Sequence, residues 1–264
     1  MKKYLLVTSL SLQEYFVYRL NFILWRVRVV VSILISYFLW STVYQNTKVI
    51  FGYGQSQMLT YILLTIFING IVLSTQTSRV AEEINRGSLS NFLVRPIDYF
   101  SYNLSRDMAD KIVNTFFSVF EFIILLLILN PPVVLQTNMY LLLLFALTAI
   151  LASILYFEIS MLLSFIGFWS HETWAPRFLF FIIVAFLAGN YFPLDIVPSP
   201  IFKILEMLPF TYLVFFPLKI YLGKVSTFFI IKGIITTGIW IVLLYPIMKW
   251  VWIRGLKTYT AVGQ

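Results

Sequence analysis

The sequence contains no cysteine and a single histidine, His171. A disulfide framework, a thiolate zinc site, a thiol nucleophile and a multi-histidine metal centre are all excluded, so no metal site is expected. Charge is scarce too: Asp, Glu, Lys and Arg make up 11% of the 264 residues, against about 25% in an ordinary soluble domain. There is no G-x-x-x-x-G-K-[ST] phosphate loop. Gly223-Lys224-Val225-Ser226 lacks both the preceding glycine and the hydroxyl residue after the lysine. Gly52-Tyr53-Gly54 lacks the third glycine and the βαβ setting of a dinucleotide fingerprint. Nucleotide hydrolysis is therefore not expected on this chain, and no catalytic residue is assigned.

Apolar residues take up what charge leaves. The chain is 60% hydrophobic and 19% aromatic, with a mean hydropathy of +0.89, the composition of a polytopic membrane protein. The net charge of +8 then reads as the Lys and Arg excess such proteins keep on the cytoplasmic side, not as a nucleic-acid surface. About 20 apolar residues at 1.5 Å rise cross a hydrocarbon core of about 30 Å. Six stretches meet that need: 27–44, 58–76, 112–129, 139–165, 174–191 and 228–248. Asn130-Pro131-Pro132 stops the third. The fold class is all-α integral membrane, one transmembrane domain over 1–264.

Two further segments are neither spans nor solvated loops. In 1–22, Leu6, Leu10, Phe16, Val17 and Leu20 fall near helical spacing, with Lys3, Gln13, Glu14 and Arg19 off the stripe. That pattern, followed by no small-residue cleavage site, predicts an interfacial helix and not a cleaved leader. Segment 193–222 is apolar but broken by Pro193, Pro198, Pro200, Pro209 and Pro217. Short apolar pieces between prolines predict a re-entrant helical hairpin that caps the outer side, because broken backbone at membrane depth must pack on protein or line a cavity. Counting cations in alternate connections puts fourteen of the nineteen Lys and Arg residues on the side of both termini, which makes that side cytoplasmic. Lys48, Lys203, Lys219, Lys224 and Lys232 fall on the other.

The densest run of charge is 79–110, between the second and third spans, and ionised groups in hydrocarbon cost several kcal/mol each. Its first part, 79–104, holds Leu89, Phe92 and Leu93 at i, i+3 and i+4, a short apolar stripe. Ser88 is placed to cap that turn after the flexible Gly87, and Pro96 to end it. Glu82, Glu83, Arg86 and Arg95 flank the stripe. On the residues alone, the stripe either inserts into a groove on a soluble partner or rests on the membrane surface.

The inward termini, the interfacial helix, the six spans, EEINRGSLSNFLVRP after the second and FPLDIVPSPIFKILEMLPFTYLVFFP before the sixth together resemble the ABC-2 class of ABC transporter permeases. The closest branch is that of short bacterial permeases for drug, viologen or lipid-like export. The resemblance implies a coupling helix docking on a nucleotide-binding subunit, with Glu82 or Glu83, Gly87-Ser88-Leu89 and Pro96 matching the class. It also implies ATP and Mg on that partner ATPase and no cofactor here, a second permease copy or paralogue, a bacterial inner-membrane location, and ATP-driven export of amphiphiles.

Two carboxylates fall within spans, Glu121 in the third and Glu158 in the fourth. Both are read either as attracting a cationic amphiphile or as paired structural groups. Phe181, Tyr191 and Phe192 are the aromatic candidates for a pathway wall. His171-Glu172, before the fifth span, is expected to be an interface contact or part of a membrane-surface belt. A membrane enzyme on lipid-linked substrates, using Glu121, Glu158 or His171, and an ATP-independent transporter are the competing classes. No convergent motif favours the first and no inverted repeat the second.

Overall fold

The computed structural model describes residues 2–17, 19–223 and 225–260, without the side chains of Phe16, Val17 and Arg19. Lys224 of the outer cation count, and those three side chains of the N-terminal pattern, lie outside the described residues.

Helices follow the apolar runs. In order they are α1 (Lys2–Val17), α2 (Arg19–Val43), α3 (Gln55–Ile68), α4 (Ser78–Asn85), α5 (Ser90–Leu93), α6 (Tyr99–Leu129), α7 (Met139–Ser164), α8 (Trp174–Leu187), α9 (Ser199–Leu205), α10 (Phe215–Tyr221) and α11 (Thr227–Thr258). A two-residue hairpin, β1 (Val49–Ile50) with β2 (Tyr53–Gly54), joins α2 to α3. Three of the long helices, α6, α7 and α11, begin on side-chain caps that satisfy otherwise free N–H groups. Asp98 accepts from the Ser101 amide at 2.7 Å, Asn138 from Tyr140 at 3.0 Å and Ser226 from Phe229 at 3.2 Å. Asn130, left-handed at φ 41°, ends α6 just before the two prolines.

The centre of the bundle is α3, buried on every side from Met58 to Ile66, as a helix apolar all round must be. It runs on into a π-helical turn, Asn69–Leu73. Around it, α2, α6, α7 and α11 turn large apolar side chains outward, including Phe116, Phe120, Leu127 and Val242. An outward apolar surface of that kind is matched to lipid. Among the described residues, five helices are long and apolar enough to cross a membrane, or six if the bent pair of α9 with Pro209–Tyr221, 82° apart, is one span. The expected fifth span, 174–191, is helical only over the 14 residues of α8. At 1.5 Å per residue that is about 21 Å, less than a hydrocarbon core.

Segment 193–222 is indeed broken, and the break is buried: Phe215, Leu218 and Ile220 are fully covered. Three groups lock it down. Lys219 donates to the Tyr53 hydroxyl at 2.5 Å and pairs with Asp195, and Tyr53 donates to the same carboxylate at 2.8 Å. Lys219, counted among the outer surface cations, is thus an internal tie between the hairpin and β2. Before it, Gly189 takes φ 81°, and its carbonyl accepts from Tyr61 at 2.5 Å. A Cβ there would stand 2.9 Å from that hydroxyl, so glycine is required twice over.

The helices of the other end are held by polar pairs. Lys3 donates to the Pro96 carbonyl (2.9 Å), Thr8 to that of Ser105 (3.0 Å), and Tyr15 to Asp110. This order shows α1 running parallel to the first half of α6. Its leucines Leu5, Leu6 and Leu10 face outward, while Ser11 is buried. Farther on, Arg26 reaches Glu121 at 2.6 Å, Asn114 at 3.2 Å and Ser118 at 3.1 Å. Arg26, read as a surface cation, is 7% exposed, and Glu121, read as a candidate for the pathway, is fully engaged by it. The correction has a simple cause: each charge is the other's only affordable neighbour in an apolar bundle.

Replacing Arg26 with Met strands the Glu121 carboxylate and should cost about 3–5 kcal/mol. The double replacement Arg26→Met with Glu121→Leu should recover most of that loss in SDS-titrated unfolding from mixed micelles. If Arg26→Met alone unfolds like the parent chain, the pair does not hold α2 to α6.

Candidate functional site: a charged knot beside a cavity

The end of the molecule carrying 78–104 is built around Gly87. Helix α4 stops at Asn85, and Gly87 at φ 70° turns the chain in the left-handed conformation that ends helices. The Leu89 amide then donates back to the Glu83 carbonyl at 2.9 Å, and α5 is a single turn. Three expectations are corrected here. Leu89 is not on an outward stripe: it is 0% exposed, packed with Val80, Ile84, Phe165, Met248 and Trp252. Ser88 does not cap α5, because its hydroxyl donates to the Glu83 carbonyl at 3.3 Å. Glu83 is not a surface charge, since it takes the Arg106 guanidinium at 2.6 Å and the Tyr99 hydroxyl at 2.5 Å.

Each correction has one reason. A turn this short, held on two sides by longer helices, buries whichever apolar residue points inward and pairs the carboxylate beside it. What stays outside is Arg86, Leu93, Val94, Arg95 and Pro96, all exposed, with Val94 the most so at 84%. Phe92 is half-buried between Tyr99 (5.7 Å) and Tyr102 (4.9 Å), with the Arg95 guanidinium over its ring.

The tip is wired to the rest of the bundle through contacts between residues far apart in the chain. Tyr259, just beyond α11, donates to the Gly87 carbonyl at 2.6 Å and accepts from the Ser90 amide at 3.1 Å. Trp252 of α11 stacks on Tyr99 at 4.9 Å. Asn85 donates to the His171 carbonyl at 2.9 Å. Lys111 donates to the carbonyls of Val72 (3.0 Å) and Ser74 (2.8 Å), which close the π-helical turn and have no intrahelical partner there. Sequence separations of 169 and 172 residues leave no local signal for the Tyr259 clasp.

Beside the knot lies a cavity of about 980 Å³ between α1, α2, the 73–79 connection, α6, α7 and α8. Its walls include Tyr15, Trp25, Arg28, Arg177 and Phe181, with Glu82 at the rim. Tyr15 is held by Asp110 and by Gln76. Burial, and then the negative charge of Asp110, push its phenol well above the usual tyrosine range, so it stays a neutral donor.

Of the five residues expected along a pathway, only Phe181 lines this cavity. Glu121 is spent on Arg26. Glu158 is 5% exposed on α7, with Oε2 lacking a hydrogen-bond partner among the described residues. Tyr191 and Phe192 lie past the far end of α8, where the Tyr191 carbonyl accepts from Trp40 at 3.0 Å and Phe192 packs on the main core. His171 contributes a backbone carbonyl to Asn85, and Glu172 accepts from the Trp174 and Ala175 amides, at 2.9 and 3.1 Å, at the start of α8. Glu121, Glu158 and His171 therefore do not converge on one reacting centre.

The family described as ABC-2 family transporter protein matches residues 30–263. No curated protein matches the chain. The matched span takes in the knot, the broken hairpin and the α6, α7 and α8 walls of the cavity. A multi-pass bundle of helices turned apolar side out, matched over nearly its whole length, leaves one assignment: the chain belongs to the ABC-2 family and is a permease component of an ABC transporter.

Proposed function

We propose that the chain is the permease subunit of an ATP-driven exporter in a bacterial plasma membrane. Both termini and the knot face the cytoplasm, and amphiphilic, drug-like or lipid-like molecules are the cargo. ATP and Mg reside on a separate ATPase pair, and a second permease copy or paralogue completes the pathway. The observation that carries this reading is the exposed tip Leu93-Val94-Arg95-Pro96 on a knot whose Glu83 and Leu89 are tied inward. An apolar residue that is 84% exposed between a leucine and an arginine is the kind of anchor that a groove on a soluble partner accepts.

The tie lines support a mechanism. A push on the tip is delivered to α6 through Glu83 and Arg106, and to α11 through Tyr259 and Trp252. It reaches the base of α3 through Lys111, which grips the last carbonyls of the π-helical turn. Rigid elements with two packings, not a continuously bending chain, are what carries such a movement. The cavity beside the knot is where cargo enters from the inner leaflet, and the Tyr53–Asp195–Lys219 lock closes the opposite end until the hairpin moves.

Docking and folding separate cleanly in variants. Val94→Asp with Arg95→Glu should lower co-purification with the ATPase by more than about tenfold, roughly 1.4 kcal/mol, with an unchanged melting temperature. Leu89→Asp should instead lower the melting temperature, because it buries an unpaired carboxylate. If the tip variant binds the ATPase like the parent, the docking assignment fails.

Tyr259→Phe keeps the ring and removes only the clasp. The expected result is normal ATPase association with substrate-stimulated ATP turnover reduced several-fold, the loss of a hydrogen-bonding hydroxyl being worth about 1 kcal/mol. Unchanged stimulation would exclude Tyr259 from transmission.

A further inference from the structure

The cavity's charges do not all cancel in pairs. Glu14 is matched by Arg79, and Asp110 accepts from Tyr15 and, at 3.0 Å, from Gln76. Glu82, the remaining acid on the wall, stands exposed at the rim. Two guanidinium groups have no carboxylate at ion-pair distance among the described residues. Arg177 on α8 donates to the hydroxyls of Ser164 (2.6 Å) and Thr77 (3.3 Å), with Glu82 its electrostatic neighbour. Arg28 on α2 lies 4.5 Å over the ring of Trp25 and 5.8 Å from that of Phe181, bridging the two helices that flank the cavity.

Stacking of this kind uses the face of the guanidinium and leaves its in-plane N–H donors free. Those donors form a planar fork that matches a carboxylate or phosphate two bonds at a time. Beside the fork the wall is aromatic, with Phe22, Phe178 and Phe180 next to Trp25 and Phe181. Arg28 is exposed, and a cation placed against it would meet a guanidinium with no carboxylate at ion-pair distance among the described residues; an anion would supply that partner.

We propose that this cavity binds an anionic amphiphile, its acid group on Arg28 and its apolar body along the aromatic wall between α2 and α8. The inference rests on the permease reading for its biological meaning and refines it by giving the cargo a sign. Its sign is opposite to that of the cationic amphiphile which is one of the two readings of Glu121 and Glu158. Glu121 is neutralised by Arg26, and Glu158 is not on the cavity wall. The occupant's acid is either that of a membrane phospholipid or that of a free amphiphilic acid.

The test needs neither ATP nor the partner ATPase, so its outcome is independent of whether export is driven as proposed. The purified full-length chain in phosphatidylcholine nanodiscs is titrated with 11-(dansylamino)undecanoic acid and with the trimethylammonium analogue of the same tail. The acid should bind about tenfold more tightly or better, and Arg28→Gln should weaken the acid by about tenfold while leaving the ammonium probe unchanged, each tenfold being about 1.4 kcal/mol. Arg28→Lys should recover part of the loss, since charge returns but the fork does not. Equal affinities for the two probes in the parent chain, or an Arg28→Gln variant that binds the acid normally, would overturn the proposal. The parent comparison stands even if that variant folds poorly. Where the acid does bind, nanodiscs containing phosphatidylglycerol identify its source. Competition that depends on Arg28 assigns the site to membrane phospholipid, and binding undiminished by that lipid assigns it to a free acid.

Discussion

A guanidinium and a carboxylate that cannot leave one another fix how this bundle is assembled. Arg26 and Glu121 sit on parallel helices, each with little exposure, where separation would leave an ion with neither water nor partner. Once they pair, α2 is tied to α6 at this level of the bundle. Ser118 and Asn114, the neighbours that complete the guanidinium's donors, also face α3. Ser118 lies 3.1 Å from the Ile66 carbonyl, and a Cβ on Gly70 would collide with it. The central helix is thus seated against α6 by the same group of atoms that seats α2. Among lipids, where apolar contact between helices has no solvent to exclude, polar ties of this sort are what select one packing among many.

The same logic recurs wherever charge meets the bundle. Arg106 with Glu83, Lys111 with the carbonyls of Val72 and Ser74, and Lys219 with Asp195 and Tyr53 each join elements distant in sequence. None is a surface salt bridge of the kind worth little in water. Together they divide the molecule into a rigid knot at one end and a locked hairpin at the other, with α3 between them. The cavity lies on the knot side.

Much of this was legible in the residues. Apolar length located five helices, Asn130-Pro131-Pro132 marked the end of α6, and the prolines of 193–222 announced a broken segment. The ABC-2 class was carried by the order of those features. What failed did so for physical reasons. Counting cations treats each as solvated, so Arg26, Lys111 and Lys219, all buried against partners far along the chain, were read as surface charge. Helical spacing put Leu89, Phe92 and Leu93 on one face, but in a single turn that face is shared, and Leu89 was taken by the core. The length of α8 was overestimated because the apolar sequence continues past Leu187 into the Gly189 turn, where the Tyr61 hydroxyl, not hydropathy, decides the backbone.

The burial of Leu89 sharpens the argument for transmission more than an exposed stripe would have done. A helix that merely floated its apolar face into a partner would absorb a push by reorienting, since nothing behind it resists. Here the proposed contact surface is one exposed turn, and behind it Leu89 is packed against α11 while Glu83 is ion-paired to α6. Displacing the tip therefore requires displacing two long helices or breaking a buried ion pair, and the second is the costlier. Stiffness behind a small contact is what converts a local push into a movement of the bundle, and in this chain that stiffness comes from the residues that sequence reading had assigned to the contact itself.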